Sequence, residues 1–283
     1  MHSNKPILIT GCSSGIGLAV ARGLKKRGYH VFPSARKTED VKMLQEGGFE
    51  EALLLDLDNS QSIKYAVDTL LKKTNGQLYA LFNNGAYGQA GAVEDLSRDA
   101  LRANFETNLF GTHELTSLII PTMRKQGYGR IIQNSSVLGL ICLPYRGAYN
   151  ASKFALEGLT DTLRMELKNS GIKVSLIEPG PITSRFRANA FAAYQRNIDK
   201  ENSYHRNIYD SMERRLTKKG PAAPFTLPPE AVLKKVIHAL ESDNPKIRYY
   251  VTFPTYLFAT LKRLLPHKWL DKLLLKVSSG EQK

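Results

Sequence analysis

A chain of 283 residues with 42% hydrophobic content and scattered charge can bury a real core in one large domain or two small ones. This excludes fibrous, collagen-like and disordered classes, and no apolar run reaches the roughly 18 residues that a membrane-spanning helix needs. The net charge of +14 is uneven: Arg185–Lys219 holds nine Lys/Arg against four acids, and Lys246–Lys276 holds seven against Asp271 alone.

Such a skew suits nucleic acid, an anionic membrane surface, acidic ligands or a merely solvated face. No nucleic-acid motif accompanies the basic stretches, so no nucleic-acid partner is expected. Cys12 and Cys142 fit no metal-ligand spacing and are too few for a disulfide framework, which points to a reducing, cytoplasmic setting without a metal. Lys5–Thr10 runs straight into a glycine cluster, with no secretory signal ahead of it.

Pro6–Thr10 reads as a short strand, Thr10-Gly11-Cys12-Ser13-Ser14-Gly15-Ile16-Gly17 as a glycine turn, and Ile16–Lys26 as a helix. In that context a glycine-rich loop signals dinucleotide binding. Gly11 permits the tight turn, Gly15 and Gly17 permit close approach, and the helix N-terminus offers N–H groups to a phosphate, with the Ser13 and Ser14 hydroxyls beside them. Tyr29–Ser34 is a second strand. It ends in Ala35-Arg36-Lys37, with no acid until Glu39, where an acid would meet the ribose hydroxyls of NAD and a base the 2′-phosphate of NADP. The reading here is NADP(H).

Strand and helix then alternate. Glu51–Leu55 is a strand with Asp56 at its end, placed to meet an adenine amino group, and Ser60–Lys73 is a helix with Ser60 as its expected N-cap. Leu78–Phe82 leads into the polar turn Asn83-Asn84-Gly85-Ala86. One long helix is expected over Leu101–Met123, carrying Asn108 and Gly111 on its buried length. Gly129–Ser136 is a strand, Ala148–Asn169 a helix, and Lys173–Glu178 a strand ending in Pro179-Gly180-Pro181. The alternation predicts a single Rossmann-type α/β fold, a doubly wound parallel sheet with helices on both faces and its ligand beyond the carboxyl strand ends.

Residues 185–227 are polar, basic and weakly periodic, with aromatics Phe186, Phe191, Tyr194, Tyr204 and Tyr209, and read as a mobile lid rather than a core element. Pro228-Pro229-Glu230 opens a helix, and Arg248–Val251 is a last strand. Residues 1–251 thus form the catalytic domain with its lid, and residues 252–283 an amphipathic basic extension broken by Pro266. Leu257, Leu261, Leu264 and Leu265 share that extension with Lys262, Arg263, Lys268 and Lys272. Two roles compete for it: weak, salt-sensitive contact with an anionic membrane, and ordinary packing over the substrate pocket.

The chemistry centres on Tyr149-Asn150-Ala151-Ser152-Lys153. On a helix Tyr149 and Lys153 stand one turn apart on one face. An ammonium beside a phenol is expected to lower its pKa and let it exchange protons near neutral pH.

Together these residues resemble the short-chain dehydrogenase/reductase family from about Ile7 to Val251. The resemblance rests on the Thr10–Gly17 loop, Asp56, Asn83-Asn84-Gly85, Asn108, Ser136 thirteen residues before Tyr149, Lys153 and Pro179-Gly180. Within the family the chain is similar to the NADP-dependent group of retinol and 17β-hydroxysteroid dehydrogenases. It is similar above all to bacterial aldehyde and retinal reductases, which share Glu178–Ile182 and the Lys262–Pro266 tail. Gly85-Ala86 inverts the family's usual order. Thr183 lies one position early for the hydroxyl that meets the nicotinamide carboxamide, and Ser184 occupies the expected place.

The resemblance implies a catalytic set of Ser136, Tyr149, Lys153 and Asn108, the last anchoring a water that relays protons. It implies cofactor contacts from Gly11, Ser13, Ser14, Gly15, Ile16, Gly17, Arg36, Lys37, Asp56, Leu57, Asn84, Gly85, Tyr149, Lys153, Pro179, Gly180, Ile182, Thr183 and Ser184, and a homodimer or homotetramer. The expected activity is NADPH-dependent reduction of apolar aldehydes or ketones (retinal-like, medium-chain or steroid). The alternatives are reduction of an acyl group on an acidic carrier protein, and a cofactor-sensing regulator without turnover.

Overall fold

The computed structural model describes residues 5–281. Seven parallel strands form one sheet in the order β3-β2-β1-β4-β5-β6-β7. They are β1 (Pro6–Ile9), β2 (His30–Ala35), β3 (Leu53–Leu54), β4 (Ala80–Asn83), β5 (Gly129–Asn134), β6 (Ile172–Glu178) and β7 (Arg248–Tyr250). The order reverses between β1 and β4, which opens a crevice beyond their carboxyl ends.

Alternation along β1 sets the two layers. Ile7 and Ile9 join Val20 and Leu24 of α1 (Gly15–Lys26) and Val232 and Val236 of α9 (Glu230–Glu241). Leu8 faces the other way, onto Ile63 and Leu70 of α3 (Ser60–Lys73) and Leu115 and Ile119 of α5 (Gly111–Gln126). Because both faces are covered, β1 (PILI) and the Ala80–Phe82 run of β4 are apolar without alternation. Between β2 and β3 runs α2 (Thr38–Glu46), and α6 (Gly147–Glu166) connects β5 to β6.

Local structure departs from the sequence expectation in three places. The helix expected over 101–123 runs without interruption through α4 (Arg98–Phe105) and α5, but a π turn (Glu106–Phe110) is set into it. Gly111, directly after the π turn, lets α5 press on the loop at Leu57, since a Cβ there would stand 1.8 Å from the Leu57 carbonyl oxygen. The extra residue of the π turn also swings Asn108 inward, where Tyr87 pins it: Tyr87 N donates to Oδ1 at 3.1 Å and Nδ2 donates to Tyr87 O at 3.0 Å. At α3 the cap is Asn59, not Ser60, with Oδ1 accepting from Gln61 N at 2.9 Å and Ser62 N at 3.0 Å.

The third departure is the 185–227 stretch, expected to be a mobile lid. It contains α7 (Phe186–Asn197) and α8 (Arg206–Thr217), packed on a core of their own. Tyr194 and Tyr209 are among the largest fully buried side chains of the molecule. Their hydroxyls find partners inside: Tyr194 donates to Glu213 at 3.0 Å, and Tyr209 donates to Asp95 while accepting from Ala92 N. Satisfied phenols bury as aromatic mass, which a hydropathy pattern alone does not show. Beyond β7, α10 (Phe253–Leu264) and α11 (His267–Glu281) meet at Pro266.

Candidate active site

A cleft of about 1130 Å³ opens beyond the carboxyl ends of the strands. Nearly every expected cofactor residue lines it: Gly11, Ser13, Ser14, Gly15, Ile16, Arg36, Lys37, Asp56, Leu57, Asn84, Gly85, Pro179, Gly180, Ile182, Thr183 and Ser184. Gly17 stands behind the wall, where an added Cβ would lie 2.3 Å from the Gly11 carbonyl oxygen. Its role is to let α1 press against the turn. Gly11 and Gly15 have φ of 68° and 56°, the left-handed region that favours glycine.

This cradle fits a dinucleotide. The first turn of α1 carries no acid, and the Ser14 side chain makes no cap bond, so the helix N-terminus and a hydroxyl face the cleft together. Arg36 and Lys37 at the end of β2 are exposed, and Asp40 also lines the wall there. Asp56 spends Oδ1 on its own turn, accepting from Asp58 N at 3.1 Å.

Ser136 follows β5 in extended conformation, its Oγ accepting from Leu138 N at 3.1 Å. Tyr149 and Lys153 rise from the first turns of α6, both buried. The Tyr149 hydroxyl shares a hydrogen bond with Ser136, and its ring meets Phe186 edge-on at 5.1 Å. Lys153 Nζ donates to the Asn134 carbonyl at 2.7 Å and stands 5.8 Å from the Tyr149 ring centre.

The electrostatics reverse one expectation. Burial pushes the Tyr149 phenol up to about 12, against the smaller pull of the Ser136 hydrogen bond. Burial likewise brings the Lys153 ammonium down to about 8, with the Glu157 carboxylate opposing. Desolvation disfavours the charged form of each and is the largest effect on both.

Asn108 is buried but does not line the cleft. Besides Tyr87, its Nδ2 reaches Ser152 Oγ at 3.1 Å. The structure therefore shows it tying the π turn to α6, one residue from Lys153.

Several site residues had no sequence signal of their own. Thr10 Oγ1 accepts from Asn84 N at 2.9 Å and Gly85 N at 2.8 Å, fastening two cradle turns together. Asn134 joins them, its Nδ2 donating to Asn84 Oδ1 at 3.0 Å. Behind Lys153 lies a buried ion cluster in which the Arg248 guanidinium meets Glu157, Asp161 and Glu178. Burial and the neighbouring Glu157 charge push Glu178 up to about 8. Glu157, one turn past Lys153, was visible by spacing; Arg248 and Glu178 come together only through the pairing of β6 with β7.

A glycine cradle at a sheet switch point, with a serine, a tyrosine and a lysine converging beside it, defines a dinucleotide-dependent oxidoreductase. The sequence model of the family described as short chain dehydrogenase matches residues 5–195. The chain is 47% identical over 270 residues to oxidoreductase YbbO of Escherichia coli K12, covering 95% of this chain and 94% of that one. It is 32% identical over 259 residues to human 17-beta-hydroxysteroid dehydrogenase type 1, covering 87% and 77%. The crystal structure of a short-chain dehydrogenase from Streptomyces avermitilis superimposes with a TM-score of 0.77 at 28% identity, covering 98% and 96%. The chain belongs to the short-chain dehydrogenase/reductase family and is an enzyme acting on CH–OH or carbonyl groups with a nicotinamide cofactor.

Proposed function

We propose that this enzyme is an NADPH-dependent reductase of apolar aldehydes or ketones, of retinal-like, medium-chain or steroid type. The observation that carries the reading is the placement of Tyr149. Its hydroxyl holds a proton beside Ser136, in a cleft whose walls also include Leu138, Ile141, Leu143, Leu216, Leu257 and Phe258. A relative at 32% identity is named for a steroid. An apolar carbonyl compound gains by leaving water for such walls, and its oxygen is then met by the Ser136 and Tyr149 hydroxyls.

A reduced nicotinamide held by the glycine cradle would supply the hydride that reduces the carbonyl carbon. Ser136 donates to the carbonyl oxygen and stabilises the charge that develops there. Tyr149 gives that oxygen its proton. A phenol whose pKa is near 12 remains protonated at neutral pH, as a donor must be. Lys153, anchored on Asn134, places positive charge near Tyr149 and is positioned to hold the cofactor ribose. Arg36 and Lys37, which line the cleft, would favour NADPH by meeting its 2′-phosphate, and either Thr183 or Ser184 would offer its hydroxyl to the nicotinamide. The assembly is a homodimer or homotetramer, which analytical ultracentrifugation reads directly.

The test is NADPH oxidation at 340 nm with retinal, decanal, a steroid ketone and a small hydrophilic aldehyde. The reading requires turnover of at least one apolar carbonyl well above the hydrophilic control. Binding of NADPH without turnover of any of them would favour the cofactor-sensing regulator.

A further inference from the structure

The outer surface of the C-terminal helices carries apolar groups that the core does not use. In α10 the buried residues Thr255, Phe258 and Ala259 define the inner face. Phe253, Leu257, Thr260 and Leu264 repeat at helical spacing on the opposite side, all exposed, Leu264 to 71%. In α11, Leu270 and Leu274 pack inward on the same cluster as Phe258, while Trp269 and Leu275 stay out, Trp269 to 69%. Phe225 extends the patch. Its ring lies 5.0 Å from that of Phe253, it is 58% exposed, and its φ of 59° is a costly conformation for a bulky residue. Phe225, Phe253 and Leu257 also line the cleft, so the exposed stripe continues into its wall.

Charge selects the occupant of this face. Exposed Arg263, Lys268, Lys272 and Lys276 share these two helices with the apolar groups, with Asp271 the single acid between Lys246 and Lys276. A second copy would bring the same cations against these. A purely electrostatic docking site for an acidic protein would not need an exposed leucine-and-tryptophan stripe. Exposed apolar side chains interspersed with cations match a bilayer interface, where acyl chains lie beneath anionic headgroups. Among the described residues no helix is long and apolar enough to cross a membrane, so the contact is peripheral.

We propose that α10, α11 and Phe225 dock on an anionic lipid surface, setting the cleft against the bilayer so that a lipid-dissolved carbonyl compound reaches Tyr149 without crossing water. The route for substrate rests on the reductase reading; the docking does not.

The test separates the two. Full-length protein is sedimented with vesicles of phosphatidylglycerol and phosphatidylcholine, and with phosphatidylcholine alone, at low and high salt. The expected result is binding to the anionic vesicles that fades with salt. Leu264→Ser with Trp269→Ser, and separately Lys268→Glu with Lys272→Glu, should each weaken it at least about tenfold. None of these four residues lines the cleft, so NADPH oxidation with a water-soluble aldehyde should stay at the parent rate and report an intact fold. With decanal dissolved in the anionic vesicles, the parent should outpace both variants. Absence of vesicle binding, equal binding to neutral vesicles, or a dimer that Leu264→Ser with Trp269→Ser dissociates would each overturn the docking. Vesicle binding without aldehyde turnover would leave the docking standing and refute the reductase reading alone.

Discussion

Replacing Arg248 by Met tests whether the ion cluster behind Lys153 stabilises the enzyme. The guanidinium touches Glu157 and Glu178 through Nη1 and Asp161 through Nη2, and Glu178 is fully buried. Removing the cation costs on the order of 3 kcal/mol, the low end for a buried group because Arg248 and Asp161 are only partly buried while Glu157 and Glu178 lose their charged partner. At about 2–4 °C per kcal/mol for a chain of this size, the midpoint of thermal unfolding should fall on the order of 10 °C. The loss should also depend on pH. Glu178 in the native protein keeps its proton to about pH 8, above its ordinary value of 4.5, so its contribution is full below 4.5 and fades as pH rises toward 8. Without Arg248, which lowers the pKa of both Glu157 and Glu178, the two carboxyls hold protons to higher pH still. The deficit of the variant should therefore be larger at pH 8.5 than at pH 6. Urea unfolding at the two pH values measures it, and adding Glu178→Gln to Arg248→Met should return a substantial part. A loss under about 1 kcal/mol at both pH values, or a larger loss at pH 6, would refute the reasoning.

Four further outcomes are expected. Tyr149→Phe keeps the ring on Phe186 but removes the proton, so reduction should fall at least about a hundredfold while NADPH fluorescence titration changes little. Lys153 loses its charge above about pH 8, so log kcat for reduction should bend downward there and be flat between pH 6 and 7; a profile flat to pH 10 would remove Lys153 from the mechanism. Ala35→Asp with Arg36→Ala should turn the preference toward NADH, and a parent enzyme already faster with NADH would contradict the assignment of Arg36. Gly17→Ala drives a Cβ to 2.3 Å from the Gly11 carbonyl oxygen and 2.8 Å from Asn84 Nδ2, so cofactor affinity should drop about tenfold or more in the same titration.

Features written in local chemistry were legible before the structure. A glycine turn between an apolar strand and a helix, polar turns at strand ends, and regular alternation leave few topologies open. What escaped depended on contacts distant in the chain. The close approach of Gly111 to the Leu57 carbonyl, beside the π turn between α4 and α5, is a contact that no helical periodicity records. The packed core of α7 and α8 depends on Asp95 and Glu213 accepting from Tyr209 and Tyr194. The sequence tail divided in the same way: Leu261 and Leu265 turn inward and Leu264 outward, although all three fit one apolar pattern.

The site shows the same limit in energetic form. The one-turn spacing of Tyr149 and Lys153 correctly places a phenol and an ammonium together, but spacing fixes only the Coulombic part of their interaction. Whether the pair favours charge depends on how much water each retains, and here both are buried. The phenol is therefore pushed up to about 12 and the ammonium down to about 8, the opposite of what an exposed pair would do. For reduction this arrangement suits the direction of transfer. On the proposed mechanism the proton would stay on Tyr149 until charge develops on a substrate oxygen beside Ser136, and that developing charge, rather than Lys153 alone, would draw it off. For oxidation the same burial is a hindrance, since Tyr149 would have to be deprotonated first. The reverse reaction should thus gain rate as pH rises through the range in which the forward reaction loses it. Measuring alcohol oxidation and carbonyl reduction across pH 6 to 10 would show the two profiles crossing, and parallel profiles would mean that Tyr149 does not carry the proton.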